Sequence, residues 1–134
     1  MTALRAGPLS LSFLEGDLRK VCLGGVEVVR RIYFALRDHN WVTIPGKLED
    51  LRLRAGTDSF EIQYRSVHTN RQIDFRWEAR ILGDEHGTIH FEANGRAYSD
   101  FLRNRIGLCV HHPLRECAGR PVRFNGREGE FPRL

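Results

Sequence analysis

The sequence predicts an all-β fold, an antiparallel β-sandwich formed by a single domain. Apolar and polar residues alternate with a period of two in several segments, most clearly where Phe60, Ile62 and Tyr64 are separated by polar residues. Turn residues recur about every eight to twelve positions, a spacing typical of sandwiches and barrels. No segment shows a convincing helical period. A chain of 134 residues is also long enough to bury one core without disulfides or metals.

The N-terminal third predicts three strands joined by tight turns. The strands are expected over residues 8–13, 18–23 and 26–36, with turns at 15–17 and 24–25. Glycine occupies both turns and aspartate the first of them, and these residues tolerate the backbone conformations that hairpins require. Residues 26–36 are long enough for a helix. Their β-branched and aromatic side chains favour a strand instead, with a bulge at Arg30-Arg31.

The remaining sequence continues the same pattern, with a polar loop over residues 37–41. Strands are predicted over residues 42–44, 48–53, 60–65, 73–81, 89–94, 97–102, 103–113 and 122–124. Turns are predicted at residues 45–46, 55–58, 68–70, 83–87, 94–95 and 125–126, because glycine, proline, asparagine and aspartate cluster there. The tail, residues 128–134, is expected to have no strand partner, which favours a chain that continues in a longer protein.

Charge and cysteine content restrict the classes of partner. The net charge is +4, but the cations are spread along the sequence instead of forming the stripe of a nucleic-acid interface. The three cysteines, Cys22, Cys109 and Cys117, have no CxxC spacing, which indicates a reducing compartment. No signal peptide or membrane-length apolar run is present. We therefore expect a cytoplasmic protein that binds neither nucleic acid nor membrane.

Residues 103–113 concentrate the most chemical groups. Gly107 within an apolar run predicts a strand that another group approaches closely, and Pro113 is expected to end it. His111 and His112 at its end are the candidate catalytic residues, one of them acting as a general base. Adjacent side chains on a strand point to opposite faces, so the two imidazoles cannot share one substrate or metal unless the strand breaks between them. The alternative is a strand end with one imidazole on a backbone carbonyl and the other in solvent.

A second candidate site lies in the polar loop. Asp38, His39 and Asn40 beside Trp41 could form a sugar-binding rim, with Arg105 as a further substrate contact. The alternative is a polar connection that a buried tryptophan anchors.

Paired arginines suggest a third kind of contact, to a carboxylate. Arg103 with Arg105, or Arg30 with Arg31, could bind one bidentately. The alternative is that these arginines pair with acidic residues on neighbouring strands. The acidic residues considered for that pairing are Glu78, Glu92 and Asp100.

Metal and cofactor chemistry have no support from motifs. His86 and His90 flank a turn without a third ligand at metal-binding spacing, and Cys109 between apolar neighbours is expected to be a small buried side chain. The chain contains no nucleophile elbow, P-loop, dinucleotide fingerprint or zinc metalloprotease motif. We expect no metal and no cofactor.

Four stretches together resemble the N-terminal region of the D-apionate lactonase family. They are residues 4–9, 24–33, 37–41 together with 43–45, and 104–113, the last followed by Cys117-Ala118-Gly119. The segment 104–113 is the most specific of them, and the likeness covers nearly the whole chain. The resemblance implies a β domain that precedes a barrel-like catalytic domain in a sugar-lactone hydrolase of apiose catabolism.

Two main hypotheses follow. In the first, residues 1–134 are an accessory module that packs on a catalytic barrel absent from this chain, which predicts an exposed apolar patch on one sheet face. In the second, the chain is a self-sufficient carbohydrate- or lactone-binding domain or hydrolase, which requires His111 and Asp38 to share a pocket. A weaker third hypothesis is an arginine-rich nucleic-acid binder.

Overall fold

A computed structural model describes residues Met1–Leu134, with eleven strands and one short helix. The elements are β1 (Thr2–Ala6), β2 (Leu9–Leu14), β3 (Asp17–Leu23), β4 (Val26–Asp38), β5 (Gly46–Ala55), β6 (Phe60–Thr69), β7 (Asp74–Gly83), β8 (Ile89–Ala97), β9 (Arg103–His111), α1 (Leu114–Cys117), β10 (Pro121–Phe124) and β11 (Arg127–Glu130).

The strands form two main antiparallel sheets. One sheet has the order β1-β2-β3-β4-β9 and the other has the order β5-β6-β7-β8, while β10 and β11 pair separately. The sheets pack face to face, since Phe34 of β4 stacks on Trp77 of β7 with ring centroids 4.2 Å apart. The predicted all-β antiparallel sandwich is therefore confirmed.

The core contains the side chains that the period-two pattern turned inward. Buried and exposed residues alternate along β6 and β7, and Ile62 and Ile81 at the centre of the pair have no exposed surface. Leu18 and Leu36 contribute from the facing sheet. Burial of such side chains removes apolar area from water and is the main stabilising term of this fold.

The bulges lie elsewhere than predicted. The pairing of β3 with β4 shifts by one residue between Val21 and Cys22, so the extra residue on β4 is Val28 and not Arg30 or Arg31. A second shift, between β2 and β3, lies at Lys20, which has a φ of 51°. Bulges at these positions change which face of the sheet the following side chains occupy.

Two predicted turns at glycine were wrong. Gly46 opens β5 and Gly95 lies within β8. A Cβ atom at Gly46 would collide with Ser66 and His68, and one at Gly95 would collide with Phe75. These glycines therefore permit close packing between neighbouring strands instead of reversing the chain.

Several predicted boundaries also require correction. The chain reverses after Thr69, so His68 lies inside β6. Residues 42–44 form only an isolated bridge, between Thr43 and Arg37. The strand predicted over residues 97–102 is absent except for Ala97, the last residue of β8.

Three further features differ from expectation near the two ends of the chain. The first strand, β1, was not predicted; it pairs with β2 in a register that sets Leu4 opposite Leu11. Strand β11 pairs with β10, so the expectation of an unpartnered tail was wrong. Gly107 has a φ of 149°, but no atom beyond its two chain neighbours lies within 4 Å of its Cβ position, so no other part of the chain makes the predicted close approach. No helix is long and apolar enough to cross a membrane.

Candidate functional site

The connection after β4 presents an exposed aromatic ring. Asp38 Oδ1 accepts hydrogen bonds from the backbone N–H groups of Asn40 at 2.9 Å and Val42 at 3.0 Å. Trp41 adopts a φ of 66° within this turn, and 54% of it is exposed. We refer to residues 38–42 as the Trp41 turn. Its aspartate holds the backbone, and the indole faces solvent instead of anchoring a buried connection.

Arg105 lies beside the Trp41 turn. It is opposite Arg37 in the pairing of β9 with β4, and its guanidinium carbon lies 5.6 Å from the centroid of the indole ring. That distance is within the range of a cation–π contact. His39 and Asn40 are exposed within the Trp41 turn. The structure therefore places Arg105 beside Trp41, in whose turn the other three predicted substrate contacts, Asp38, His39 and Asn40, also lie.

The two candidate catalytic histidines lie elsewhere and contact different groups. The ring of His111 packs edge-on against Tyr33, with centroids 5.1 Å apart. His112 Nδ1 lies 3.4 Å from the carbonyl oxygen of Val28, and its ring lies 4.9 Å from that of Phe131. Both side chains are exposed. This arrangement is that of a strand end in which one imidazole contacts a backbone carbonyl.

The strand register separates these histidines from the Trp41 turn. His111 is opposite Arg31, whereas Arg103 is opposite Asp38. Asp38 therefore lies seven residues further along β4 than the position that His111 faces, a separation of about 23 Å at roughly 3.3 Å per residue. His111 and Asp38 do not share a pocket, so the condition set by the second hypothesis is not met.

A buried imidazole that the sequence did not single out lies between the sheets. His68 Nδ1 is 2.7 Å from the carbonyl oxygen of Ile44, and because a carbonyl only accepts, Nδ1 carries the proton. Nε2 then accepts from Trp77 Nε1–H at 2.9 Å and lies 3.3 Å from Ser66 Oγ. Burial lowers the pKa of His68. The imidazole is neutral, and the lone pair of Nε2 already accepts the hydrogen bond from Trp77.

A cavity of about 290 Å³ adjoins His68. Its lining includes Trp77, Arg31 and Arg37, together with Asp17, whose carboxylate binds Arg31 and Arg19. The volume is close to the lower end of the range for small-molecule sites. Since both nitrogens of His68 are engaged, this cavity offers cations and an aromatic wall but no free imidazole for acid–base catalysis.

Strand β9 carries apolar side chains that no other strand covers. Leu108 and Val110 pair with Phe34 and Ile32, and paired residues of an antiparallel sheet lie on the same face. Phe34 and Ile32 pack against the core, yet 40% of Leu108 and 49% of Val110 are exposed. We call Leu108 and Val110 the β9 strip. These two side chains lie on the core-facing side of the sheet, at positions that the facing sheet leaves exposed.

No group of three or more histidine, cysteine, aspartate or glutamate side chains is placed to hold a metal ion. The cysteines Cys22, Cys109 and Cys117 are free and partly buried. Arg31 pairs with Asp17 of the neighbouring strand β3, which is not one of the acidic residues named for this alternative. Arg103 and Arg105 form no ion pair, so the alternative is not met for them.

Comparison with known proteins identifies the family. The family model for the N-terminal domain of D-apionate lactonase matches residues 1–133. A D-apionate lactonase of Brucella anthropi is 33% identical over 137 residues, in an alignment that covers 98% of this chain and 22% of that relative. The chain thus spans less than a quarter of the relative's length, and no solved structure matches it. The chain belongs to the D-apionate lactonase N-terminal domain family.

Proposed function

We propose that residues 1–134 form one accessory module of a D-apionate lactonase-like sugar-lactone hydrolase, and that this module packs on a catalytic domain. The match to the N-terminal domain of that family, with most of the relative lying outside the matched region, supports this role. The three free cysteines support a cytoplasmic location. The proposal makes the parent enzyme a carboxylic-ester hydrolase of apiose catabolism.

The β9 strip is the observation that carries this proposal. Strand β9 is the last strand of its sheet, so one edge of its backbone is unpaired. An apolar strip beside a free strand edge is a surface that proteins normally cover, because it would otherwise promote aggregation. A catalytic domain of the same polypeptide is the occupant that we propose, since the family joins this domain to a longer chain.

A chimaera tests this docking. The chain replaces the matched N-terminal region of the Brucella anthropi enzyme, and thermal unfolding is followed by calorimetry. We expect one cooperative transition, because a docked module unfolds with its partner. Replacing Leu108 and Val110 by aspartate should split the transition in two. Phe124→Asp is the matched control, since Phe124 is 70% exposed on the separate hairpin and should leave one transition. Two transitions in the unsubstituted chimaera would contradict docking through the β9 strip.

A second candidate function is a contact to the sugar lactone at the Trp41 turn. The exposed indole with Arg105, His39 and Asn40 beside it favours this alternative, because sugars bind through stacking on aromatic rings and hydrogen bonds from polar rims. Quenching of tryptophan fluorescence by an aldonolactone tests it, since Trp77 is only 4% exposed and serves as the internal control. Loss of quenching in Trp41→Phe would support binding at the turn, and quenching that survives would contradict it.

A further inference from the structure

Cations that are scattered in the sequence converge at the end of the sheet where β9 finishes. A groove of about 340 Å³ is lined by Arg19, Lys20, Arg30, Arg31, His111 and a single acidic residue, Glu27. The convergence follows from strand pairing, because Arg31 lies opposite Arg19 on one side and opposite His111 on the other. None of the lining residues is hydrophobic. We call this surface the basic groove.

The acidic residues within reach do not neutralise these cations. Asp17 Oδ2 binds Arg19 Nη2 at 2.8 Å and Arg31 Nε at 2.7 Å, so one carboxylate serves two guanidinium groups. Glu27 binds Arg30 at 3.0 Å. Four fixed cations against two carboxylates leave a net charge of two positive units, without counting His111. Lys20 forms no ion pair, although its ammonium group is a strong donor.

Two further features are unusual for residues at a surface. The Nε atom of Arg19 is buried and has no hydrogen-bond partner within the chain, although the same guanidinium binds Asp17 through Nη2. Lys20 has a φ of 51° at the register shift between β2 and β3. Non-glycine residues adopt this conformation at a cost in free energy, and bulges redirect side chains at functional sites. Both features belong to residues of the basic groove.

We propose that the basic groove binds a small oxyanion, in the first instance the carboxylate of a hydroxy acid. Guanidinium groups bind planar carboxylates through paired hydrogen bonds. Recognition of an uncharged ligand would not require four cations in one groove. The lining residues are four cations, one carboxylate and one imidazole, so the groove favours a charged ligand over an apolar one. The choice of a hydroxy acid rests on the proposed function, because a lactone hydrolase releases a hydroxy-acid anion, whereas the preference for an oxyanion rests on the charge of the groove. This inference does not depend on docking through the β9 strip.

Calorimetric titration of the 134-residue chain with gluconate, inorganic phosphate and the uncharged polyol xylitol tests the site. Binding of gluconate or of phosphate, each weakened by added salt, supports an oxyanion site and identifies which anion it prefers. Lys20→Gln should weaken binding about tenfold, since a hydrogen bond to a charged group is lost. Lys47→Gln is the matched control, because Lys47 is exposed and forms no ion pair.

Backbone amide shifts in an NMR titration locate the ligand independently of affinity. We expect the largest shifts in β3 and β4 around Lys20, Arg30 and Arg31, with Arg30→Gln reducing them. Failure of millimolar gluconate and phosphate to bind to the folded chain would overturn the proposal. So would equal binding of xylitol, or a loss of affinity in Lys47→Gln as large as that in Lys20→Gln.

Discussion

Trp77 donates its indole N–H to Nε2 of His68 at 2.9 Å, while Nδ1 of the same imidazole bonds the carbonyl oxygen of Ile44 at 2.7 Å. The imidazole thereby joins the β4–β5 connection to β6 and β7. Phe34 stacks on Trp77, and the centroid of its ring lies 6.1 Å from the centroid of the His68 ring. This buried polar contact is fully paired, and such contacts specify one arrangement of a core because unpaired alternatives are costly.

Protonation of His68 should destabilise the fold. Burial lowers its pKa below the usual 6.5, so the unfolded chain binds the proton more readily than the folded chain does. The contribution of neutral His68 is therefore fully present above about pH 6.5 and decreases as the pH falls towards the lowered pKa. Urea unfolding across this range should give a free energy of unfolding that decreases as the pH is lowered.

His68→Gln is the control for this pH dependence. The variant should be less stable than the wild type, and the part of the pH slope that belongs to His68 should disappear. An NMR titration of the His68 ring in the wild-type chain checks the same prediction without relying on folding of the variant. A ring that titrates at or above its ordinary pKa would refute the lowered pKa.

Gly46→Ala should destabilise the protein through a steric collision at the same imidazole. The added Cβ would overlap Ser66 Oγ and the ring of His68. Overpacking of this kind costs about 1–3 kcal/mol. Gly129→Ala is the matched control, because the nearest atom to its Cβ position is Val122 Cγ1 at 3.9 Å. Chemical denaturation of both variants measures the difference, and equal stabilities would contradict the packing role of Gly46.

The period-two pattern predicted the fold because it depends only on local sequence. The alternation around Ile62 and Ile81 directly identified the core face of β6 and β7. The glycines were less informative, since Gly46 and Gly95 are needed by side chains on neighbouring strands. Glycine is required both in tight turns and where two strands approach closely. Only the pairing of the strands distinguishes the two cases.

The candidate sites show the same limit. Four of the five predicted substrate contacts are consecutive residues of the Trp41 turn, so the sequence alone could place them together. The sequence carries no local signal that His68 is buried, since its partner carbonyl, that of Ile44, lies 24 residues away. The basic groove depends on the register that aligns Arg19, Arg31 and His111. The scatter of cations along the sequence therefore did not reveal that several of them meet in one groove.

Asp38→Ala should destabilise the Trp41 turn. The substitution removes the acceptor for the N–H groups of Asn40 and Val42, at a cost of about 1 kcal/mol. Asp38→Asn should be close to neutral, because the amide oxygen can accept both hydrogen bonds. Denaturation midpoints of the two variants check this expectation. If Asn lowers stability as much as Ala does, the carboxylate charge matters more than the turn geometry.

Substitutions of the core-facing residues of β9 should show that one part of this face is buried and that another part is exposed to solvent. Ile106 packs against the core, so Ile106→Ser should cost about 2 kcal/mol. Val110 is 49% exposed, and Val110→Ser should change the stability of the isolated chain by about 0.5 kcal/mol or less. Equilibrium unfolding of both variants distinguishes these effects. A large cost for Val110→Ser would show that the β9 strip is already covered within this chain.

The isolated chain should not hydrolyse aldonolactones. General-base catalysis needs a base and a substrate contact in one pocket, whereas His111 faces Arg31 at the end of the sheet remote from Asp38, and both nitrogens of His68 are engaged. Proton release from a panel that includes D-apionolactone, measured on chain shown by circular dichroism to be folded, should equal that of buffer. His111→Ala and His112→Ala are the controls. Hydrolysis that either substitution abolishes would establish an active site within these 134 residues and refute the accessory role.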